Sequence, residues 1–267
     1  MGVINVTPDS FSDGGQFLDR RAARDHAERM LARGADLVDI GAESTRPGAE
    51  RVSSDDQIER IGDLIRELAR AGAIVSIDTT DAIVARRALD DGATLVNTVD
   101  PAHTTDLATL ARGRALLAIM HSRGSMKRMP GFSGTEERAY DDVVDHVVRE
   151  LERARDAAFA VGLAKDDVLL DPGLGFHKSA RHSLTLLAHL DALVALGQPV
   201  LVGSSRKSFL AAVTAAEGSE PAGPTERLGA TIASCILAAE RGAAMLRVHD
   251  VFEVKQALSL WKAARHA

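Results

Sequence analysis

Cysteine is almost missing from this chain: Cys235 is the only one in 267 residues. An internal disulfide is therefore excluded, and a lone thiol suits a reducing, cytoplasmic setting. Basic residues are not in excess either, since 32 Lys plus Arg stand against 38 Asp plus Glu, for a formal charge of -6. That balance argues against nonspecific nucleic-acid binding, because phosphate backbones reward a basic surface. A small anionic substrate needs only a local basic pocket. No run approaches the roughly 20 apolar residues that span a bilayer, so no membrane partner is expected. The start, Met1-Gly2-Val3-Ile4-Asn5, lacks the basic lead and apolar stretch of a secretory signal. No linker, composition shift or low-complexity tract divides the chain, and residues 1–267 are expected to form one domain.

What the chain does have is alternation. Apolar runs rich in Val, Ile and Leu predict strands at Val3 to Val6, Asp36 to Ile40, Ile74 to Ile77, Thr94 to Val96, Leu116 to Met120, Val168 to Leu170, Pro199 to Val202 and Ala244 to Val248. Helical spacing fills the intervals near 19–33, 54–71, 80–91, 105–112, 138–163, 181–196, 226–241 and 252–265. Ser53, Ser54 and Asp55 suit a helix start, and Gly34, Gly72, Gly92 and Gly242 sit where helices end. Strands joined by helical crossovers are parallel, and nearly continuous apolar strands are covered on both faces. Eight such units in this length predict an α/β fold of the (β/α)8 TIM-barrel type, with a doubly wound sheet as the alternative.

In such a barrel, function gathers at the C-terminal ends of the strands. There the chain places Asn5, Asp39, Asp78-Thr79, Asn97, His121, Asp171-Pro172-Gly173, Gly203-Ser204-Ser205-Arg206-Lys207-Ser208, and Arg247 with His249. Each has an ordinary structural reading: Asp as a helix cap, Asp-Pro-Gly as a turn, Arg as a solvated charge, Cys235 as core packing. Their sharing of one predicted rim favours a site. Ser, Lys and Arg after strands seven and eight suit an anionic group, phosphate above all. Asp78, Asn97 and Asp171 suit a flat, nitrogen-rich ring whose N–H donors meet paired oxygens.

Several segments carry a resemblance. Val3-Ile4-Asn5-Val6-Thr7-Pro8-Asp9-Ser10-Phe11-Ser12-Asp13-Gly14-Gly15, Glu43-Ser44-Thr45-Arg46-Pro47-Gly48-Ala49, Asp171-Pro172-Gly173, Ser205-Arg206-Lys207-Ser208 and Arg247-Val248-His249-Asp250 resemble the signatures of the dihydropteroate synthase family. The resemblance implies condensation of 4-aminobenzoate with 6-hydroxymethyl-7,8-dihydropterin diphosphate in folate biosynthesis, assisted by Mg²⁺, in a homodimer that sulfonamides target. It implies that Asp78, Asn97, Asp171 and Lys207 hold the pterin. Asn5 would lie by the metal, and Asn5, Arg247 and His249 would bind the diphosphate. Thr45, Arg46, Pro47, Lys207, Ser208 and Phe176 would form the aminobenzoate site. Asp9, Arg46, Lys207, Arg247 and His249 would be catalytic. Three positions depart from the family pattern: Thr98 where an acid is usual, His177 where a small residue is usual, and Ala42 for a common second glycine. Two other activities fit the same residues, a noncatalytic pterin-binding paralogue and a methyltransferase using a methylated folate.

Overall fold

The computed structural model describes residues 1–6, 15–43, 51–123, 136, 139–215, 220–265 and 267. Strand and helix alternate along it: β1 (Gly2–Asn5), α1 (Gly15–Ala32), β2 (Val38–Gly41), α2 (Ser54–Ile61), α3 (Leu64–Arg70), β3 (Val75–Asp78), α4 (Ala82–Asp90), β4 (Leu95–Thr98), α5 (Thr104–Ala111) and β5 (Leu116–Met120). The second half adds α6 (Val143–Ala160), β6 (Val168–Asp171), α7 (Ala180–Ala188), α8 (Asp191–Val194), β7 (Leu201–Val202), α9 (Ser208–Thr214), α10 (Leu228–Glu240), β8 (Met245–Leu246) and α11 (Val251–Arg265).

Strands β1 to β6 pair in sequence order, all parallel, and β7 pairs with β8. Two backbone seams complete the circle. Leu170 N–H donates to Pro199 O at 3.0 Å, and Val3 N–H donates to Val248 O at 3.1 Å. Parallel bridges at Leu170–Val200 and Gly2–Val248 mark the same seams. The sheet has no free edge between β8 and β1, so the chain is a closed (β/α)8 barrel and not the open alternative.

Strand alternation sorts the side chains into two sets. Ile4, Val38, Ile40, Val75, Ile77, Val96, Leu117, Ile119, Val168, Leu170 and Val202 face outward and pack with the helices in one large apolar cluster. Met1, Leu37, Leu95, Ala118, Leu169 and Leu201 form a second, separate cluster. These lie two positions from Val3, Asp39, Asn97, Met120, Asp171 and Gly203, so the barrel interior is apolar below and polar toward the C-terminal ends.

The expected element order holds, with local differences. The helix expected over 54–71 is two helices, because Gly62 turns to φ 53° and its N–H caps Ile58 O at 2.8 Å. The helix expected over 181–196 breaks at His189 into α7 and α8. The helix expected over 138–163 starts later, where the Asp142 carboxylate accepts from the Val144 and Asp145 N–H groups. Helix α9 was not expected; burial of Phe209, Leu210 and Ala211 winds what read as loop into two turns. Strands β7 and β8 are two residues each, shorter than the four or five expected.

The outward layer makes a stability prediction. Leu170 is fully buried between barrel and helices, whereas Ile83 on α4 is 61% exposed. Leu170→Ala is expected to cost about 2–5 kcal/mol in urea unfolding, from lost transfer energy and a cavity. Ile83→Ala should stay within about 0.5 kcal/mol.

Candidate active site

The polar end of the barrel is organised around Arg247, which follows β8. Its Nε donates to Asp39 Oδ2 at 2.6 Å and its Nη2 to Asp78 Oδ2 at 2.7 Å. Asn97 Nδ2 donates to the same Asp39 oxygen at 3.1 Å. Four strands, β2, β3, β4 and β8, are thereby joined across the interior. Asp39 is fully buried, and its other oxygen, like Ser76 Oγ beside it in register on β3, has no hydrogen-bond partner among the described residues. Asn5, exposed at the end of β1, lies on the same side: a Cβ at Gly41 would come 3.8 Å from its Oδ1 and 3.5 Å from Asp78 Cβ.

The opposite wall comes from β6 and β7. Asp171 Oδ1 accepts from the Gly173 N–H at 2.7 Å, folding the turn back on the strand. Only glycine fits at 173, where φ is 64° and a Cβ would lie 2.0 Å from His121 O. Lys207 Nζ donates to Leu174 O at 2.6 Å and sits 4.5 Å from the centre of the Phe176 ring. Phe176 is itself buried against Val99 and Met120. Ser208 begins α9. His249 Nδ1 lies 3.1 Å from Ser205 Oγ, and that hydroxyl also accepts the His249 N–H at 3.2 Å. Arg206 is turned to Asp250 in a bidentate pair.

Burial sets the charges here. It raises Asp78 to about 7, with Arg247 opposing and Asp39, Glu43 and Asp171 reinforcing. Burial also raises Asp171, against the pull of Lys207 and the Gly173 N–H. It lowers Lys207 to about 8, with Asp171 opposing. Burial alone would lower Arg247, but Asp39 and Asp78 outweigh it and hold the guanidinium charged. Burial together with Arg247 and Arg206 lowers His249 to about 4, so the imidazole is neutral at neutral pH. It can therefore act only as a neutral hydrogen-bonding group.

Of the residues singled out from sequence, Asn5, Asp78, Asn97, Asp171, Phe176, Lys207, Ser208, Arg247 and His249 lie at this end of the barrel. Asp9, Thr45, Arg46 and Pro47 lie outside the described residues. One partnership differs from expectation: Arg247 was assigned to the diphosphate, yet it is engaged by two carboxylates that need its charge. Thr98 takes no part in the pocket; alternation turns it outward from Asn97, and its hydroxyl donates to Asp100 O at 3.3 Å.

Sequence reasoning gave no role to Asp39, although an acid between Val38 and Ile40 in a strand buried throughout was a usable signal. It also missed Lys178, which is fully buried with Nζ 2.9 Å from His121 Nδ1 and 3.0 Å from Phe176 O. Burial moves Lys178 and His121 well below their usual values. Nothing local in Phe176-His177-Lys178-Ser179 announces that burial, which arises from the loop wrapping onto the end of β5.

A (β/α)8 barrel whose C-terminal end gathers acids, an amide and two cations on facing walls suits an enzyme for a nitrogen-rich ring bearing an anionic group. Comparison with known proteins is specific: the chain belongs to the pterin binding enzyme family, whose model matches residues 1–249. Within that family it is similar to dihydropteroate synthases. That of Mycobacterium leprae is 42% identical over 272 residues, covering 100% of this chain and 93% of the relative. A probable bifunctional folylpolyglutamate synthase/dihydropteroate synthase of Haloferax volcanii is 40% identical over 99% of this chain, which spans only 30% of that longer protein. The solved dihydropteroate synthase of Xanthomonas albilineans with 4-aminobenzoic acid superposes with a TM-score of 0.86 at 41% identity, covering 100% of this chain and 93% of that one.

Two predictions follow from the charges. Asp78, expected to accept ring N–H groups, can do so only once its proton is lost, near pH 7, and Lys207 loses its positive charge as pH rises through about 8. The kcat/KM for the pterin substrate should therefore be bell-shaped, falling below about 7 and above about 8, and Asp78→Asn should remove the acid limb. Separately, Arg247→Ala leaves Asp39 buried without its counter-ion. It should lower unfolding free energy by about 3–5 kcal/mol in urea as well as weaken anion binding.

Proposed function

We propose that this chain joins 4-aminobenzoate to 6-hydroxymethyl-7,8-dihydropterin diphosphate, forming dihydropteroate and releasing diphosphate. One observation carries the reading: Arg247, Asp39, Asp78 and Asn97 form one bonded wall at the C-terminal end of the barrel, and Asp171 with Lys207 forms the wall opposite. Paired N–H donors of a pterin meet the carboxylates of Asp171 and Asp78 and the Asn97 amide. The bound 4-aminobenzoic acid of the Xanthomonas relative supports an arylamine as the second substrate. Phe176 offers that ring an apolar wall, with Lys207 between it and the pterin.

No covalent nucleophile is required. The attacked carbon bears a good leaving group beside an electron-rich reduced ring, and the arylamine is already nucleophilic. The chain has to orient the two and receive the negative charge that departs. Lys207 suits the second task because no carboxylate of a described residue lies within 4 Å of Nζ. Arg247 contributes an extended cation already fixed by Asp39 and Asp78, and His249 and Ser205 add neutral donors. Cys235 is buried in α10 with its thiol pushed up to about 11, so it supplies no thiolate.

Mg²⁺ is the proposed metal. Asn5 presents a hard amide oxygen at the rim, and among the described residues no group of three His, Cys, Asp or Glu forms an ion cage. That donor set suits Mg²⁺, which keeps its waters and binds through substrate phosphates plus one or two protein oxygens. When bound, it would withdraw negative charge from the leaving diphosphate. A homodimer and a cytoplasmic location complete the proposal. Leu237, Phe252 and Leu260 on α10 and α11 are 46%, 48% and 73% exposed, an apolar face for a second copy, and a single reduced thiol accords with a reducing compartment.

The test is diphosphate release from the pterin substrate with 4-aminobenzoate and Mg²⁺. Release that depends on the arylamine is expected; a folded sample that releases none, beside an active relative, would overturn the proposal. Asp171→Asn should weaken pterin binding about 10- to 100-fold, the worth of a charged hydrogen bond, with the circular dichroism spectrum unchanged. Unaltered affinity would remove Asp171 from the pterin site.

A further inference from the structure

His177 occupies a backbone conformation that favours glycine. Its φ is 48°, and the only other described non-glycine residue at positive φ is Arg206. Non-glycine residues are uncommon in that region, although Asn, Asp and His enter it more readily than others. What holds His177 is its own set of bonds to the β5 end of the barrel. Its Nδ1 lies 3.1 Å from Ser122 Oγ and accepts the Arg123 N–H at 3.4 Å, while its carbonyl accepts Tyr140 Oη at 2.9 Å. A backbone N–H can only donate, so Nδ1 is unprotonated and the ring carries its proton on Nε2.

Ser122 and Arg123 precede residues 124–135, and Tyr140 follows them. Arg123 also bonds Ala139 O at 2.9 Å and lies 4.8 Å from the Tyr140 ring centre. The two ends of the segment after β5 are therefore drawn together, and His177 fastens that junction to the loop after β6. On one side of His177 is Phe176, 4.5 Å from Lys207 Nζ; on the other is Lys178, whose Nζ donates to the Phe176 carbonyl. The segment Phe176–Lys178 is thus anchored at three consecutive residues, and the central anchor is the one at positive φ.

Resting on the function proposed above, we infer that His177 is a positioning residue for the arylamine subsite: its imidazole clasps the β5–α6 junction to the Phe176 wall and so sets the orientation of the Phe176 ring. It touches no reacting atom. The positive φ makes the test clean, because glycine accepts that backbone and deletes only the clasp. If His177 were mere packing, His177→Gly would leave both substrates' kinetics unchanged.

The clasp predicts a split. His177→Gly should stay folded with a melting temperature near wild type, raise KM for 4-aminobenzoate about five-fold, the worth of one hydrogen bond, and leave KM for the pterin diphosphate unchanged. His177→Asn, which tolerates positive φ and offers Oδ1 as an acceptor, should recover most of the arylamine KM. Amide hydrogen exchange at residues 121–123 and 139–142 should accelerate in the glycine variant and recover in the asparagine variant. Unchanged arylamine KM in His177→Gly, or equal rises for both substrates, would overturn the inference, as would unchanged exchange at the junction. A wild-type protein without turnover would instead sink the functional reading, and the exchange experiment would still decide whether the clasp exists.

Discussion

One guanidinium holds the polar end of this barrel together. Asp39, Asp78 and Asp171 project from different strands into an interior that burial makes hostile to negative charge, and Arg247 answers two of them at 2.6 and 2.7 Å. Such a pair adds little net stability over an apolar filling, because both partners were removed from water to make it. What it does is fix geometry. With Asp39 held by both Arg247 and Asn97, Asp78 is presented at a set position and poised near neutrality, a state suited to exchanging a protein partner for a ligand N–H.

The same alternation that makes the barrel makes the site. Along the strands, most outward residues are Ile, Val or Leu and seal the helices onto the sheet. On β1, β2, β4, β6 and β8 the inward residues begin apolar and become Asn, Asp or Arg one step further on. No separate scaffold for function is needed: the pleat delivers a polar side chain to the pocket wherever a strand continues by one inward position. The neutral His249 and the charged Lys207 then differ through surroundings, the first beside two arginines, the second beside an acid and an aromatic ring.

Much of this was legible in the sequence because it depends on local periodicity. Eight apolar runs, their helical crossovers and the polar residues just beyond them are visible without coordinates. The pairing of Arg247 was not, since the sequence places it 208 residues from Asp39 and offers no measure of which anion it would meet. Burial of Lys178 was hidden for a similar reason, its surroundings being assembled by a loop closing over β5. Helix breaks at Gly62 and His189 escaped notice because apolar spacing runs through both, while α9 forms from tertiary burial more than from its own pattern. The departure at His177 was visible as an unusual residue, but its meaning required knowing that the backbone there turns left-handed.

The seam between the ends of the chain has a temporal side. Val3 hydrogen-bonds Val248, and the floor of the pocket needs Asp39 to find Arg247, so neither contact exists until nearly the whole polypeptide has left the ribosome. The earlier strands can pair in order as they emerge, yet β1 waits with one flank unsatisfied until the final strand arrives. Catalytic competence is thus tied to completion of synthesis: a truncated product keeps an open-sided sheet and, with it, two aspartates, Asp39 and Asp78, that their guanidinium has not reached.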